Sequence, residues 1–280
     1  MNSTTQPSEH SVASVDGTRI CYRTKGSGPG LIVVGGALRT ADDYLPLATA
    51  LADHLTVHLV DRRGRGASGP QGPGYGLHTE VADLRAVQAA TGASLVFGHS
   101  YGGLVALETA RTPGVFSHVM VYEPGVAVRP FPTEWMEPYR RRLAADDPYG
   151  AFAHFVRGAG GAPAIVAKLP HWYLRGALRV GFRGAEWQRM RPLLAANLAE
   201  HEQVAAQYGR LAEFADVTAP AQILIGSRTK TGRTDFALLG STLPHATLET
   251  LPGLDHFGPE GKTAPRVAGQ MLEFLNTTRG

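Results

Sequence analysis

Leu95-Val96-Phe97-Gly98-His99-Ser100-Tyr101-Gly102-Gly103 is the stretch that decides how this chain of 280 residues is read. Leu95 to Phe97 is a short run of large apolar side chains suited to a strand buried on both faces, and Leu104 to Ala110 continues as a helix. Between them stands Gly98-x-Ser100-x-Gly102. On a sharp strand-to-helix turn this pattern holds its serine in a strained conformation with the hydroxyl exposed, and the flanking glycines leave room where side chains would strike neighbouring elements. The amide of Tyr101 and the helix dipole then favour negative charge beside Ser100, where an oxyanion develops in acyl transfer. Without the strand and the helix, the same residues would read only as a glycine-rich turn.

Working outward, short apolar runs alternate with helical patterns from about residue 30 to 124, the signature of a parallel sheet wrapped by helices. Leu31 to Val34, Leu55 to Val60 and Val119 to Tyr122 are the other strands of this region. Ser11 to Val15 and Thr18 to Tyr22 flank Asp16-Gly17 and predict an antiparallel hairpin, with residues 1 to about 10 a loose tail. Thr40 and Asp43 resemble a capping box opening a helix to about Asp53, and Val81, Leu84 and Val87 mark the apolar face of another. After Tyr122 the alternation stops for about ninety residues. From about Gly125 to Phe214 the pattern is helical and holds all three tryptophans, ending in a helix that follows Pro192 with Leu194, Leu198, Ala205, Tyr208 and Leu211 on one face. The sheet resumes at Ile223 to Ile225 and Ala246 to Leu251, and a helix from about Val267 to Leu275 closes the chain. This divides the sequence into an α/β core at 11–124 and 216–280 and an inserted helical cap at 125–215.

Composition narrows the function classes. Hydrophobic residues make up 43% and charged residues 18%, the balance of a folded globular protein. No window has the roughly 18 unbroken apolar residues of a membrane helix, and the polar start MNSTTQPSEH does not read as a secretory signal. One cysteine, Cys21, excludes an intrachain disulfide and a cysteine-based zinc cluster, and points to a reducing, cytoplasmic setting. The net charge of +3 is carried by scattered arginines, and the densest cluster, Arg140 to Arg142, is soon followed by Asp146 and Asp147, so nucleic-acid binding is not expected. His54 and His58 share no helical face, which argues against a metal site.

A serine hydroxyl needs a base, and the base needs a carboxylate to orient it. Here the chain resembles the α/β-hydrolase family over nearly its whole length. The resemblance implies a mostly parallel eight-stranded sheet flanked by helices, with a helical cap inserted. Leu31-Ile32-Val33-Val34-Gly35-Gly36-Ala37 matches the family's strand ending in His-Gly, with Gly35 where His is usual. By that match Ala37 joins Tyr101 as an oxyanion-binding amide, and Gly36 allows close backbone approach. Asp61-Arg62-Arg63-Gly64-Arg65-Gly66-Ala67-Ser68 resembles a structural signature of the family, so its arginines read as scaffold or surface. His256, in Leu251-Pro252-Gly253-Leu254-Asp255-His256, matches the late histidine of the family's order of Ser, acid and His.

The acid is less direct. Thr229 stands where most relatives carry it, which leaves Glu123, ending a strand in Tyr122-Glu123-Pro124, and Asp235, farther along the loop after Ile225. Glu123 is favoured, because some branches of the family supply the acid from that position and the chain is similar to actinobacterial members ending this strand in Tyr-Glu-Pro. Asp255 is a distant third, since it adjoins His256. The implied chemistry is cofactor-free hydrolysis of a carboxylic ester or thioester of a small-to-medium, largely apolar molecule. His99, Trp135, Tyr139 and Trp172 are candidate substrate contacts, with Gly36 beneath. The same Ser/His pair also suits a non-hydrolytic lyase, cyclase or acyltransferase, or a ligand-binding protein without turnover. The expected partner is a small molecule, with neither nucleic acid nor membrane, and no feature sets an oligomeric state.

Overall fold

The computed structural model describes residues 7–159, 164–229 and 232–278. Eight strands form one sheet: β1 (Ser8–Ala13), β2 (Arg19–Lys25), β3 (Gly30–Val34), β4 (Thr56–Asp61), β5 (Leu95–His99), β6 (His118–Tyr122), β7 (Ala221–Gly226) and β8 (Ala246–Leu251). Their spatial order is β1-β2-β4-β3-β5-β6-β7-β8. β1 and β2 pair antiparallel with each other, and β2 with β4, while β4 through β8 run parallel. Strands β3 to β7 are almost wholly buried, as unbroken Leu, Ile and Val runs require when helices cover both faces.

The helices of the core are α1 (Leu45–Leu51), α2 (Leu77–Thr91) and α3 (Tyr101–Ala110). Between β6 and β7 come α4 (Met136–Ala144), α5 (Pro148–Gly158), α6 (Ala164–Ala167), α7 (His171–Gly181), α8 (Ala185–Met190) and α9 (Leu194–Ala206). α10 (Arg233–Thr242) precedes β8, and α11 (Ala264–Thr277) ends the chain. One face of the sheet packs on α2 and α3, with Val96, Val105, Leu107 and Ile223 at its centre, and the other packs on α1 and α11 around Leu31, Phe97, Leu224 and Met271. The helices between β6 and β7 have an apolar core of their own, joined by Leu38 from the loop after β3.

The boundaries differ from expectation in four places. β1 starts at Ser8, so the tail predicted to reach residue 10 is shorter by the part that pairs Ser8 with Thr24; residues 1–6 lie outside the described residues. The hairpin turn is correspondingly wider, closed by the Ser14 amide donating to Thr18 O at 2.8 Å, and it leaves Val15 exposed. The Thr40–Asp43 capping box is present but opens a tight 3₁₀ turn, Ala41–Tyr44, which α1 then extends only to Leu51. The helix after Pro192 stops at Ala206 rather than Leu211, because Gly209 takes φ +88° in the turn that follows.

Candidate active site

The C-terminal ends of β5, β6 and β7 lie side by side, with His99 paired to Tyr122 and Tyr122 to Leu224. Parallel sheets present their binding residues along this edge. Ser100 follows β5 with φ 53° and ψ −120°, conformational strain for a non-glycine residue. Tyr122 O and the Gly125 amide fix it from either side, at 3.0 Å to Ser100 N and 2.7 Å to Ser100 O. A side chain on Gly98 would collide with Gly102 O, and one on Gly102 with Val34 O. The glycines therefore let β5, α3 and the loop after β3 close upon each other. Tyr101 opens α3, where its amide has no acceptor within the helix.

Glu123 stands one residue past β6, and it too is held at positive φ, 43°. Its side chain is 1% exposed. Oε1 accepts the Gly226 amide at 2.8 Å, and Oε2 lies 2.7 Å from His256 Nδ1. The carboxylate accepts, so Nδ1 carries the proton and Nε2 keeps a lone pair able to take one. Tyr122 donates its hydroxyl to Asp255 O at 2.6 Å and so ties the His256 loop to β6. Asp255 turns its carboxylate to the Phe257 amide, 3.0 Å away, and Asp235 lies 2.8 Å from Arg129 Nε. Of the candidate acids, Glu123 is the one brought to His256.

The loop after β3 crosses directly over the serine: a Cβ built on Gly36 would stand 3.1 Å from Ser100 Cβ. Its peptide groups are anchored from behind. Tyr44 fills the space that a Gly35 side chain would need, and its hydroxyl accepts the Gly36 amide at 2.9 Å. The same hydroxyl lies 2.7 Å from His99 Nδ1, and His99 Nε2 lies 2.8 Å from His256 O. Because His256 O can only accept, Nε2 carries the proton and Tyr44 donates to Nδ1. Burial holds His99 well below the usual histidine range, with the nearby His256 adding to the effect, so the ring stays neutral. Gly36, Tyr44, His99 and His256 thus form one hydrogen-bonded chain.

From the other side, Arg62 donates Nε to Gly35 O at 2.9 Å and a terminal nitrogen to Gly36 O at 3.1 Å, and Arg65 reaches Gly36 O at 3.2 Å. Their charges are met by Glu80, 2.7 Å from Arg62, and by Glu200 of α9, which pairs with both arginines. Arg62 lies over the Tyr101 ring at 4.8 Å, a cation–π contact behind the helix that starts at Ser100. Arg63 is held by Asp83 at 2.6 Å. All three arginines are buried scaffold, and none is at the surface.

The predicted substrate contacts need revision. His99 is buried with both ring nitrogens occupied, so it is part of the frame and does not face a substrate. Tyr139 is buried and spends its hydroxyl on Leu194 O at 2.7 Å. Trp135 is buried in the helical core, its indole N–H on Pro132 O at 2.9 Å. Trp172 lies on the outer surface of α7, 74% exposed. Gly36 alone of that group lies over Ser100. Tyr44, Glu200 and His201 escaped the sequence reading. His201 sits among Phe131, Trp135 and Phe155 with ring centroids 5.0 to 5.8 Å away, and burial lowers its proton affinity. Their signals are long-range: only the fold brings α9 and the turn before α1 to the strand ends. A cleft of about 640 Å³ between Gly64–Gln71 and Gln188–Ala196 includes none of Ser100, Glu123 and His256. Among the described residues no group of three or more His, Cys, Asp or Glu is arranged to hold a metal ion.

A sequence profile described as the alpha/beta hydrolase family matches residues 31–268. The crystal structure of an alpha/beta hydrolase from Sphaerobacter thermophilus superposes with a TM-score of 0.79 and is 29% identical, covering 95% of this chain and 100% of that one. A protein of Agrobacterium fabrum named for carbamate hydrolysis is 27% identical over 166 residues, 48% of this chain and 63% of the relative. A pimeloyl-[acyl-carrier protein] methyl ester esterase of Xanthomonas campestris is 39% identical over 87 residues, 31% of this chain and 33% of the relative. The chain therefore spans between a third and two thirds of the length of these last two relatives.

Proposed function

The chain belongs to the alpha/beta hydrolase family, and from that premise we propose that it is a serine hydrolase opening a carboxylic ester or thioester through Ser100, His256 and Glu123. One observation carries the reading: His256 Nδ1 lies 2.7 Å from a buried carboxylate, on the strand edge that ends in a strained serine. That pairing leaves His256 Nε2 free to act as base.

In this reading Ser100 Oγ attacks the carbonyl carbon while Nε2 takes the hydroxyl proton. The carbonyl oxygen becomes an oxyanion bound by the Ala37 and Tyr101 amides. Collapse breaks the carbon–oxygen or carbon–sulfur bond, His256 returns its proton to the leaving group, and an acyl-enzyme remains. Water, deprotonated by His256, attacks the acyl carbon and frees Ser100 with release of the acid. Glu123 holds the imidazole in the working tautomer. Tyr44, His99, Arg62 and Arg65 fix the Gly36 peptide, so the oxyanion amides are in place before substrate arrives. The helices between β6 and β7, packed on Leu38 of the loop after β3, act as a cap over the strand ends, and the substrate is taken to be small to medium and largely apolar. The reducing cytoplasm suits the single Cys21.

The test is release of nitrophenol from nitrophenyl esters of increasing acyl length, with Ser100→Ala as control. Turnover that the variant abolishes is expected, and chain-length preference then measures the acyl pocket. Turnover by wild type no greater than by Ser100→Ala on every ester would sink the proposal.

A further inference from the structure

Helix α7 has two apolar faces, and only one of them is used. Leu174 and Leu178 are buried in the helical core. Trp172, Gly176 and Val180 recur at four-residue spacing on another face, with Tyr173 and Ala177 one position on. Trp172 is 74% exposed, Tyr173 51% and Val180 65%, and Ile165 of α6, just before, is 75% exposed. These are four of the nine large hydrophobic residues exposed among the described residues, all within sixteen positions. Scattered exposed apolar side chains need no explanation, but a continuous stripe does.

Charge narrows what covers it. From residue 148 to 185 the sequence has no Asp or Glu, while Arg157, Lys168, Arg175, Arg179 and Arg183 are all basic. Arg175 reaches back to Asp147, 2.9 Å away, and Lys168 and Arg179, both exposed, lie in the same stretch of sequence as the stripe. A second copy would set this segment against its own charge, whereas an anionic surface complements it. Trp172 and Tyr173 add large rings with one polar tip, the side chains that settle at headgroup depth, and basic residues beside them reach the anionic groups. We infer that α7 is a docking face for an anionic lipid interface, taken up by Trp172, Tyr173 and Val180 and flanked by Lys168 and Arg179. No described helix is long and apolar enough to cross a membrane; docking on the surface requires none.

The experiment is sedimentation of the full chain with vesicles of phosphatidylcholine alone or containing one quarter phosphatidylglycerol. Binding to the anionic vesicles only, weakened by high salt, is expected. Trp172→Ser with Tyr173→Ser and Val180→Ser should weaken it at least about tenfold, as should Lys168→Glu with Arg179→Glu. Trp135 and Trp187 are buried, so a blue shift of tryptophan emission on binding reports Trp172. Ser100→Ala should bind as wild type does, which separates this inference from the proposed hydrolysis. Equal pelleting with both vesicle types, or unchanged binding by either surface variant, would overturn it. So would a concentration-dependent dimer that the triple serine variant abolishes, or binding of poly-glutamate in place of vesicles.

Discussion

At the scale of single residues, three of the four non-glycine positions at positive φ among the described residues are Leu38, Ser100 and Glu123, in or beside the candidate site. Such conformations cost on the order of 1 to 3 kcal/mol each and persist only where the surroundings dictate them. For Glu123 the return is a carboxylate shared between the Gly226 amide and His256. Glu123→Gln keeps the shape but can turn its amide N–H toward Nδ1 and favour the wrong tautomer; kcat for a nitrophenyl ester should fall about 10³- to 10⁴-fold. Asp235→Asn, which loosens only the contact with Arg129, should stay within about threefold of wild type. The reverse outcome would move the acid to Asp235. Tyr44→Phe removes one hydroxyl but strands two buried partners, the Gly36 amide and His99 Nδ1, at about 1 to 3 kcal/mol. Because that hydroxyl orients the oxyanion loop and touches no substrate, kcat should drop about tenfold with KM changed less than about twofold. Steady-state kinetics across the ester panel checks the split.

Among the elements, α9 ties the helical segment to the sheet edge. Glu200 is wholly buried and balances Arg62 and Arg65, which in turn hold the Gly36 carbonyl. Removing one member of a buried ion group leaves charge uncompensated, so Glu200→Gln should cost about 3 to 5 kcal/mol by urea unfolding and lower kcat as well. Glu202→Gln, two residues on and paired with Arg140 at the surface, should cost less than about 1 kcal/mol. This helix also marks where sequence reading stops. Gly98-x-Ser100-x-Gly102, the strand before it and the helix after it are local features that pick out Ser100, whereas His256 and Glu123 are picked out by their match to the family's order of Ser, acid and His and to the Tyr-Glu-Pro strand ending. Leu194 and Leu198 on the apolar face of α9 were legible by periodicity, whereas Tyr208, expected on that face, lies past the end of the helix and is exposed. That Glu200 serves the loop after β3 was not, since a glutamate in a helix reads as solvated until packing buries it. Tyr44 was hidden for a similar reason: an aromatic in a capped turn reads as core, and its hydroxyl finds Gly36 and His99 only after the chain has crossed from β3 to β5. Trp172 shows the opposite error, where aromatic composition suggested a pocket and the helix turns the ring outward.

For the whole molecule, neutral histidines, His58 and His99 buried and His154 and His201 half-buried, set the response to acid. Burial is the largest cause in each case: it lowers His58 and His154 to about 4, and it depresses His99 and His201. In the unfolded chain all four take a proton near pH 6.5. The folded state binds fewer protons below that point, so their contribution is fully present above about pH 6.5 and is lost as pH falls toward about 4 and, for His99, beyond it. Glu80 and Glu260 act in the opposite sense. Burial raises both, partly offset by Arg62 and Arg39 respectively, and a carboxyl that binds its proton more readily when folded gains stability on acidification. Glu249, raised by burial and by Glu273, acts in the same sense; four histidines against three raised carboxyls, two of them partly compensated, leave a net loss of stability between about pH 7 and pH 4.5. Glu200 is shifted the other way: burial raises it, but Arg62 and Arg65 outweigh burial and hold it below its ordinary value, so its contribution starts to be lost as pH falls through the ordinary carboxylate range and is gone only below its folded value, which extends the decline. Urea midpoints measured through this window should therefore fall before Glu200 begins to lose its contribution. His58→Gln, with the Thr24 hydroxyl still in reach of its amide, removes one such proton site, so its profile should be flatter than wild type by about 1 to 2 kcal/mol over the same interval. Parallel profiles for the two proteins would show that His58 does not titrate on unfolding and that the decline belongs to the other three rings.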